Sequence, residues 1–141
     1  MGIRPVLKWF CTVIGFVVLS GLSSAGETPR IAFSLPQEIP YDEARFNAAV
    51  ARRDSFVIAV VAEWCTVCNK QEIVVAELLE EPRFKDLTLF IADFDREREL
   101  RRRLRIVLQS TFVVFNDGKE VARATGQTDK AVIAALFAKA L

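Results

Sequence analysis

Two thiols three residues apart, in Trp64-Cys65-Thr66-Val67-Cys68, are the residues of this 141-residue chain best suited to chemistry. They directly follow the apolar run of residues 56–62, Phe-Val-Ile-Ala-Val-Val-Ala. A strand that delivers Cys-x-x-Cys to the first turn of a helix sets the first sulfur over backbone N–H groups that lack helical partners. Those groups and the helix dipole favour the thiolate, which is the reactive form. The second Cys lies one turn on, near enough to close a disulfide with the first. Such a dithiol/disulfide couple suits the exchange of electron pairs.

The rest of the composition narrows the alternatives. The chain has no histidine, which excludes Ser-His and Cys-His catalysis and His-ligated zinc. Asn69 follows Cys68, so covalent haem attachment is excluded as well. Nineteen basic against eighteen acidic residues give a net charge of +1, which provides no global field for nucleic acid. Two thiolates can hold a soft ion such as Cu(I), but two Cys and no His are an incomplete set for one chain. Neither a resident metal nor a cofactor is expected. A purely structural disulfide is a weak reading too, because so short a loop removes little chain entropy.

The first 25 residues have the pattern of an export signal. Arg4 and Lys8 form a basic start, residues 9–22 are uncharged and mostly apolar, and Ser23-Ser24-Ala25 offers small residues for cleavage after Ala25. The alternative is an uncleaved anchor, since no charge occurs between Trp9 and Gly26. Either way the thiols are expected outside the cytoplasm, in the periplasm, with membrane contact only if the signal is retained. Cleavage would leave 17 basic against 18 acidic residues, with Cys65 and Cys68 the only thiols.

These thiols need a scaffold, and the remaining pattern supplies one. Residues 26–40 carry three prolines without a sustained period and read as an extended lead-in. Asp42 is expected to cap a helix through about Arg53, followed by the strand at 56–62 and a long helix from about Cys65 to Glu80. Residues 87–92 form a second buried strand and 95–105 a helix. Residues 111–115 and 119–124 read as a hairpin about Asn116-Asp117-Gly118. Thr128 is expected to cap a last helix ending near Lys139. The order α-β-α-β-α-β-β-α implies an α/β fold with a mixed sheet of about four strands between helices, in one domain over residues 41–141. The arginines between 96 and 105 read as a solvated helix face, with Glu97–Arg101 and Glu99–Arg103 as i,i+4 pairs.

Over residues 42–141 the chain resembles the thioredoxin family. The matching elements are Ala62-Glu63-Trp64-Cys65-x-x-Cys68, the strand 90–95, Thr111 to Phe115, the Asn116-Asp117-Gly118-Lys119 turn and Gly126. The lead-in 41–46 and the Glu81-Pro82-Arg83-Phe84 segment are similar to exported members, among them the C-terminal domain of the thiol-reductant relay protein DsbD. The resemblance implies a thioredoxin-like fold, with Cys65 as attacking nucleophile and Cys68 as resolving thiol. It also implies protein disulfides as substrates and a membrane thiol-reductant relay as electron donor.

Three departures from the family bear on the site. The cis-proline that faces the disulfide just before Thr111 is Ser110 here, and a cis bond before a non-proline residue costs about 2.5–4 kcal/mol, so a trans Gln109–Ser110 bond is expected. The Ser110 hydroxyl is a candidate hydrogen-bond donor to a sulfur. The family's buried carboxylate is Ala59, and its lysine neighbour is Ile91. That leaves Glu63 as the candidate side chain for proton transfer, with bulk water as the other acceptor. Finally, Thr66-Val67 replaces Gly-Pro between the cysteines and sets exposure and N–H geometry at Cys65. Trp64 is expected to pack beside the disulfide and shield one side. Two further readings stay open: a thiolate metal-delivery module, and an interaction module that keeps the fold without turnover.

Overall fold

The computed structural model describes residues 37–141. The expected signal at 1–25 and most of the lead-in lie outside the described residues. The elements are β1 (Glu38–Pro40), α1 (Glu43–Ala51), β2 (Phe56–Val61), α2 (Thr66–Leu79), β3 (Thr88–Asp93), α3 (Arg98–Leu104), β4 (Thr111–Asn116), β5 (Lys119–Thr125) and α4 (Lys130–Phe137), closed by a 3-10 turn at Ala138–Ala140. The strands form one sheet in the order β1-β3-β2-β4-β5. β1 and β2 run parallel to β3, while β4 runs antiparallel to both β2 and β5. The sheet therefore has one strand more than the sequence pattern suggested. The extra strand comes from the end of the lead-in, where an edge position tolerates Pro40.

The period-two geometry of a strand splits the apolar runs between two cores. Val57, Ala59 and Val61 join Leu89, Ile91, Phe112 and Val114 on the face covered by α2 and α4. Phe56, Ile58 and Val60 join Phe90, Ala92, Val113 and Phe115 on the face covered by α1 and α3. Unbroken apolar strands are what a sheet covered on both faces requires. On the second face Phe56 stacks on Phe115 at 4.7 Å between ring centres, and Phe46 of α1 meets both edge-on.

Two helix starts differ from the sequence expectation. In α3 the side chain of Asp93 accepts the N–H groups of Asp95 and Arg96. This local turn holds residues 94–97 out of the helix, which begins at Arg98. In α4 the cap is Asp129, whose carboxylate accepts the Val132 N–H at 3.0 Å, in place of Thr128. The expected pairs on α3 are also replaced. Arg102 pairs with Glu99 at i,i+3, Arg101 lies 3.9 Å over the ring of Phe94, and Arg103 reaches Asn47 and the ring of Phe46. Glu97 is the cap of α3 and its carbonyl accepts the Arg101 N–H at 3.0 Å, but its side chain forms no ion pair with Arg101.

Candidate active site at the start of α2

β2 ends at Val61, and the chain turns through residues 62–64 with the Cys65 N–H bonded to the Ala62 carbonyl at 3.1 Å. Cys65 then occupies the cap of α2 in an extended backbone conformation. Its sulfur accepts the N–H of Cys68 at 3.0 Å. The first sulfur of the motif thus takes the role that a Ser or Asp oxygen plays at an ordinary helix start. Cys65 and Cys68 are joined as a disulfide with their Cα atoms 5.2 Å apart. Both are buried, and both belong to the core cluster under α2 and α4. When the disulfide opens, the same N–H favours the thiolate at Cys65 over the thiol.

The sequence-selected neighbours fall into distinct places. Thr66 is exposed, while Val67 is half-buried against the core cluster that includes both cysteines. Glu63 is exposed in the turn before the motif. Trp64, expected to pack beside the disulfide, lies largely at the surface. It is 61% exposed, and its indole N–H donates to Asp95 at 2.8 Å, which holds the ring toward the loop after β3. Ala59 and Ile91 sit side by side in the β2–β3 register, both buried. Apolar side chains therefore fill the two positions that the resemblance matches to the family's buried carboxylate and its lysine neighbour.

Ser110 is buried, and the described residues contain no cis peptide bond, so Gln109–Ser110 is trans. Its φ is +54°, in the left-handed region that β-carbon-bearing residues seldom adopt. The hydroxyl donates to the Gln109 carbonyl at 2.6 Å, so it is committed there and not to a sulfur. Thr111 is buried at the start of β4. Its hydroxyl bonds to the Leu108 carbonyl and to the Thr125 hydroxyl, both at 2.8 Å.

Gln71 belongs to this site and was not among the residues singled out from sequence. It is fully buried one turn beyond Cys68, and its amide N–H groups donate to the carbonyls of Ser110 at 3.2 Å and Gln127 at 2.9 Å. The Ser110 carbonyl also accepts the Gly126 N–H at 2.8 Å. One side chain thereby ties the redox helix to both loops at the end of the sheet. The available signal was a polar residue in the inward stripe Cys68, Gln71, Val75, Leu78 of α2.

A family model described as Thioredoxin matches residues 37–139. Among curated proteins, thioredoxin-1 of Saccharomyces cerevisiae is 24% identical over 69% of this chain and 92% of its own length. Thioredoxin H2-1 of Oryza sativa is 36% identical over 50% of this chain, and the chain spans about half (49%) of that relative's length. Among solved structures, Trxlp from Edwardsiella tarda EIB202 superposes with a TM-score of 0.67 at 32% identity, covering 71% of this chain and 96% of Trxlp. Oxidised thioredoxin O2 from Arabidopsis thaliana gives a TM-score of 0.61 at 22% identity, covering 73% of this chain and 93% of its own.

Proposed function

The chain belongs to the thioredoxin family, and from that premise we propose that it is an exported thiol–disulfide oxidoreductase that reduces disulfides in partner proteins. The observation that carries this reading is the Cys65–Cys68 disulfide at the start of α2, with the Cys68 N–H directed at the Cys65 sulfur. In the reduced chain the Cys65 thiolate attacks one sulfur of a partner disulfide. A mixed disulfide forms, and one partner thiolate leaves. Cys68 then loses its proton and attacks the Cys65 sulfur. The second partner thiolate departs, and two electrons have passed from the dithiol to the partner.

The surroundings shape each step. Burial of both sulfurs keeps the attack local to a partner that docks over the start of α2. Ala59 and Ile91 leave no charged pair beneath Cys68, so its proton goes to water or to Glu63, the carboxylate two residues before Cys65. Export rests on the pattern of residues 1–25. The reductive direction, and a membrane relay as electron source, rest on the likeness of residues 41–46 and 81–84 to the C-terminal domain of DsbD.

The test is to purify the full-length chain anaerobically, measure its metal content, titrate its thiols against glutathione and follow reduction of insulin disulfides. A metal-free chain with a reversible Cys65–Cys68 couple and insulin turnover supports the proposal. Stoichiometric metal that is lost in Cys65→Ser would move the assignment to thiolate metal delivery. A reversible couple without turnover would move it to an interaction module.

A further inference from the structure

A cleft of about 380 Å³ lies along α3, lined by Arg98, Arg101, Arg102, Arg105, Ile106 and Val107. Four of its six lining residues are arginines, and the local acids compensate only part of their charge. Glu99 pairs with Arg102, and Asp93 pairs with Arg96 outside the cleft. Among the described residues Arg98 and Arg105 have no carboxylate within ion-pair distance. The Arg101 side chain lies over the ring of Phe94, with its Nε buried and without a hydrogen-bond partner. Like charges held together in this way repel one another and are relieved by an anion.

Two series of linked residues connect the cleft to the disulfide. On one side Arg101 covers Phe94, and the next residue, Asp95, accepts the indole N–H of Trp64, the residue before Cys65. On the other, the chain runs from Val107 of the cleft through Leu108, which are 80% and 55% exposed, and Gln109 to Ser110. Ser110 is bonded to Gln71, one turn past Cys68. Three residues of extended chain span at most about 10 Å, so an extended peptide of about four residues reaches from Ser110 to the cleft. Val107 and Leu108 supply exposed apolar surface along the way, and such residues mark contact sites.

We propose that this cleft binds an acidic stretch of the polypeptide whose disulfide the Cys65–Cys68 pair reduces, so that the chain selects substrates with carboxylates a few residues from the target cysteine. The inference rests on the exchange reading given under Proposed function. A polypeptide is favoured over nucleic acid because residues 96–105 contain no aromatic residue to stack on bases. It is favoured over a lipid surface because Val107 of the cleft stands three residues from Ser110, whose carbonyl is bonded to Gln71 of the redox helix, so a polypeptide reacting at the disulfide passes nearby.

The test uses the full-length chain, reduced and freed of reductant, in single turnovers with two disulfide-bridged peptides. The peptides are identical except for a flanking Glu-Glu-Glu in one and Gln-Gln-Gln in the other. The acidic peptide should react about tenfold faster at low ionic strength, since charges at the edge of a contact act chiefly on the association rate. The ratio should fall to near one at about 0.5 M salt and in Arg98→Gln/Arg105→Gln. It should persist in Arg83→Gln/Lys85→Gln, which removes the same charge elsewhere. A ratio near one in the wild-type chain, or one that survives in Arg98→Gln/Arg105→Gln, overturns the proposal.

A second measurement needs no redox step. A fluorescent Glu-rich peptide without cysteine should bind the oxidised wild-type chain saturably and in a salt-sensitive way, and absence of binding overturns the cleft. If neither disulfide peptide is reduced, the exchange reading fails, and this binding measurement still decides the cleft. If the peptide does not bind, but Arg98→Gln/Arg105→Gln weakens adsorption to phosphatidylglycerol vesicles, the proposal is overturned in favour of a membrane surface.

Discussion

The side-chain amide of Gln71 donates to the backbone carbonyl of Ser110 at 3.2 Å, from one turn beyond Cys68. This contact joins the helix that carries both sulfurs to the loop that leads into β4. Replacing Gln71 with Leu keeps the volume but removes its bonds to Ser110 and Gln127, leaving the Gln127 carbonyl without that partner. The expected loss is about 1–2 kcal/mol of stability, read from denaturant unfolding. Gln71→Glu should cost more, because it places a carboxylate against two carbonyl oxygens in a fully buried position. A variant as stable as the wild type would show that the amide does not hold the loops.

Ser110 should respond to substitution through its backbone. Its φ of +54° is one that glycine adopts freely and proline cannot reach. Ser110→Gly is expected to be close to neutral, because relief of the left-handed strain is offset by greater freedom of the unfolded chain. Ser110→Pro should lower stability by more than about 1 kcal/mol, since its fixed φ forces the loop off Gln71. Comparing the unfolding midpoints of the two variants checks this order.

Two glycines with nearly equal φ should behave differently. A Cβ on Gly118, at φ +70°, would lie 2.5 Å from the Val50 carbonyl oxygen at the end of α1. On Gly126, at φ +71°, it would meet nothing within 4 Å. Gly126→Ala should therefore cost about 1 kcal/mol from backbone strain alone, and Gly118→Ala at least about 2 kcal/mol, with α1 displaced from the hairpin. Equal losses in thermal or urea unfolding would contradict the packing described here.

Glu97 is held above the usual glutamate value of 4.5 by burial and by the neighbouring Asp93 and Glu43, against the pull of Arg96. The folded chain therefore binds this proton more tightly than the unfolded chain. Stability falls as pH rises from 4.5 through the folded value, and the cost is fully present above it. Glu97→Gln should raise the unfolding midpoint at about pH 7, with the gain gone below about pH 4, where both states are protonated. A gain that persists at acid pH would point to a cause other than charge.

Much of this arrangement was legible in the sequence because its signals are local. Unbroken apolar runs at Phe56 and Leu89 mark strands covered on both faces, and Asn116-Asp117-Gly118 marks the hairpin turn. Cys-x-x-Cys after the first run places the sulfurs at a helix start without any tertiary information. Long-range partners stayed hidden. The three residues of β1 acquire meaning only from their pairing with β3. Arg101 and Arg103 chose ring faces over the carboxylates that helical spacing offers, because Phe94 and Phe46 lie beside α3. Trp64 was drawn to Asp95, which is 31 positions away in sequence. Gln71 looked like one polar residue in an apolar stripe until two loops were seen to converge on its amide.

The central claim is that Cys65 attacks and Cys68 resolves. Cys68→Ser removes the resolving thiol and leaves the attacking one, so a partner disulfide should be caught as a stable mixed disulfide. The direct measurement is to mix reduced full-length Cys68→Ser with a disulfide-bridged peptide and map the adduct by mass spectrometry after proteolysis. One peptide per chain is expected, attached to Cys65 and not to Cys11, and absent from Cys65→Ser/Cys68→Ser. An adduct on Cys11 alone, or none under conditions where the wild-type chain reduces the peptide, would contradict it.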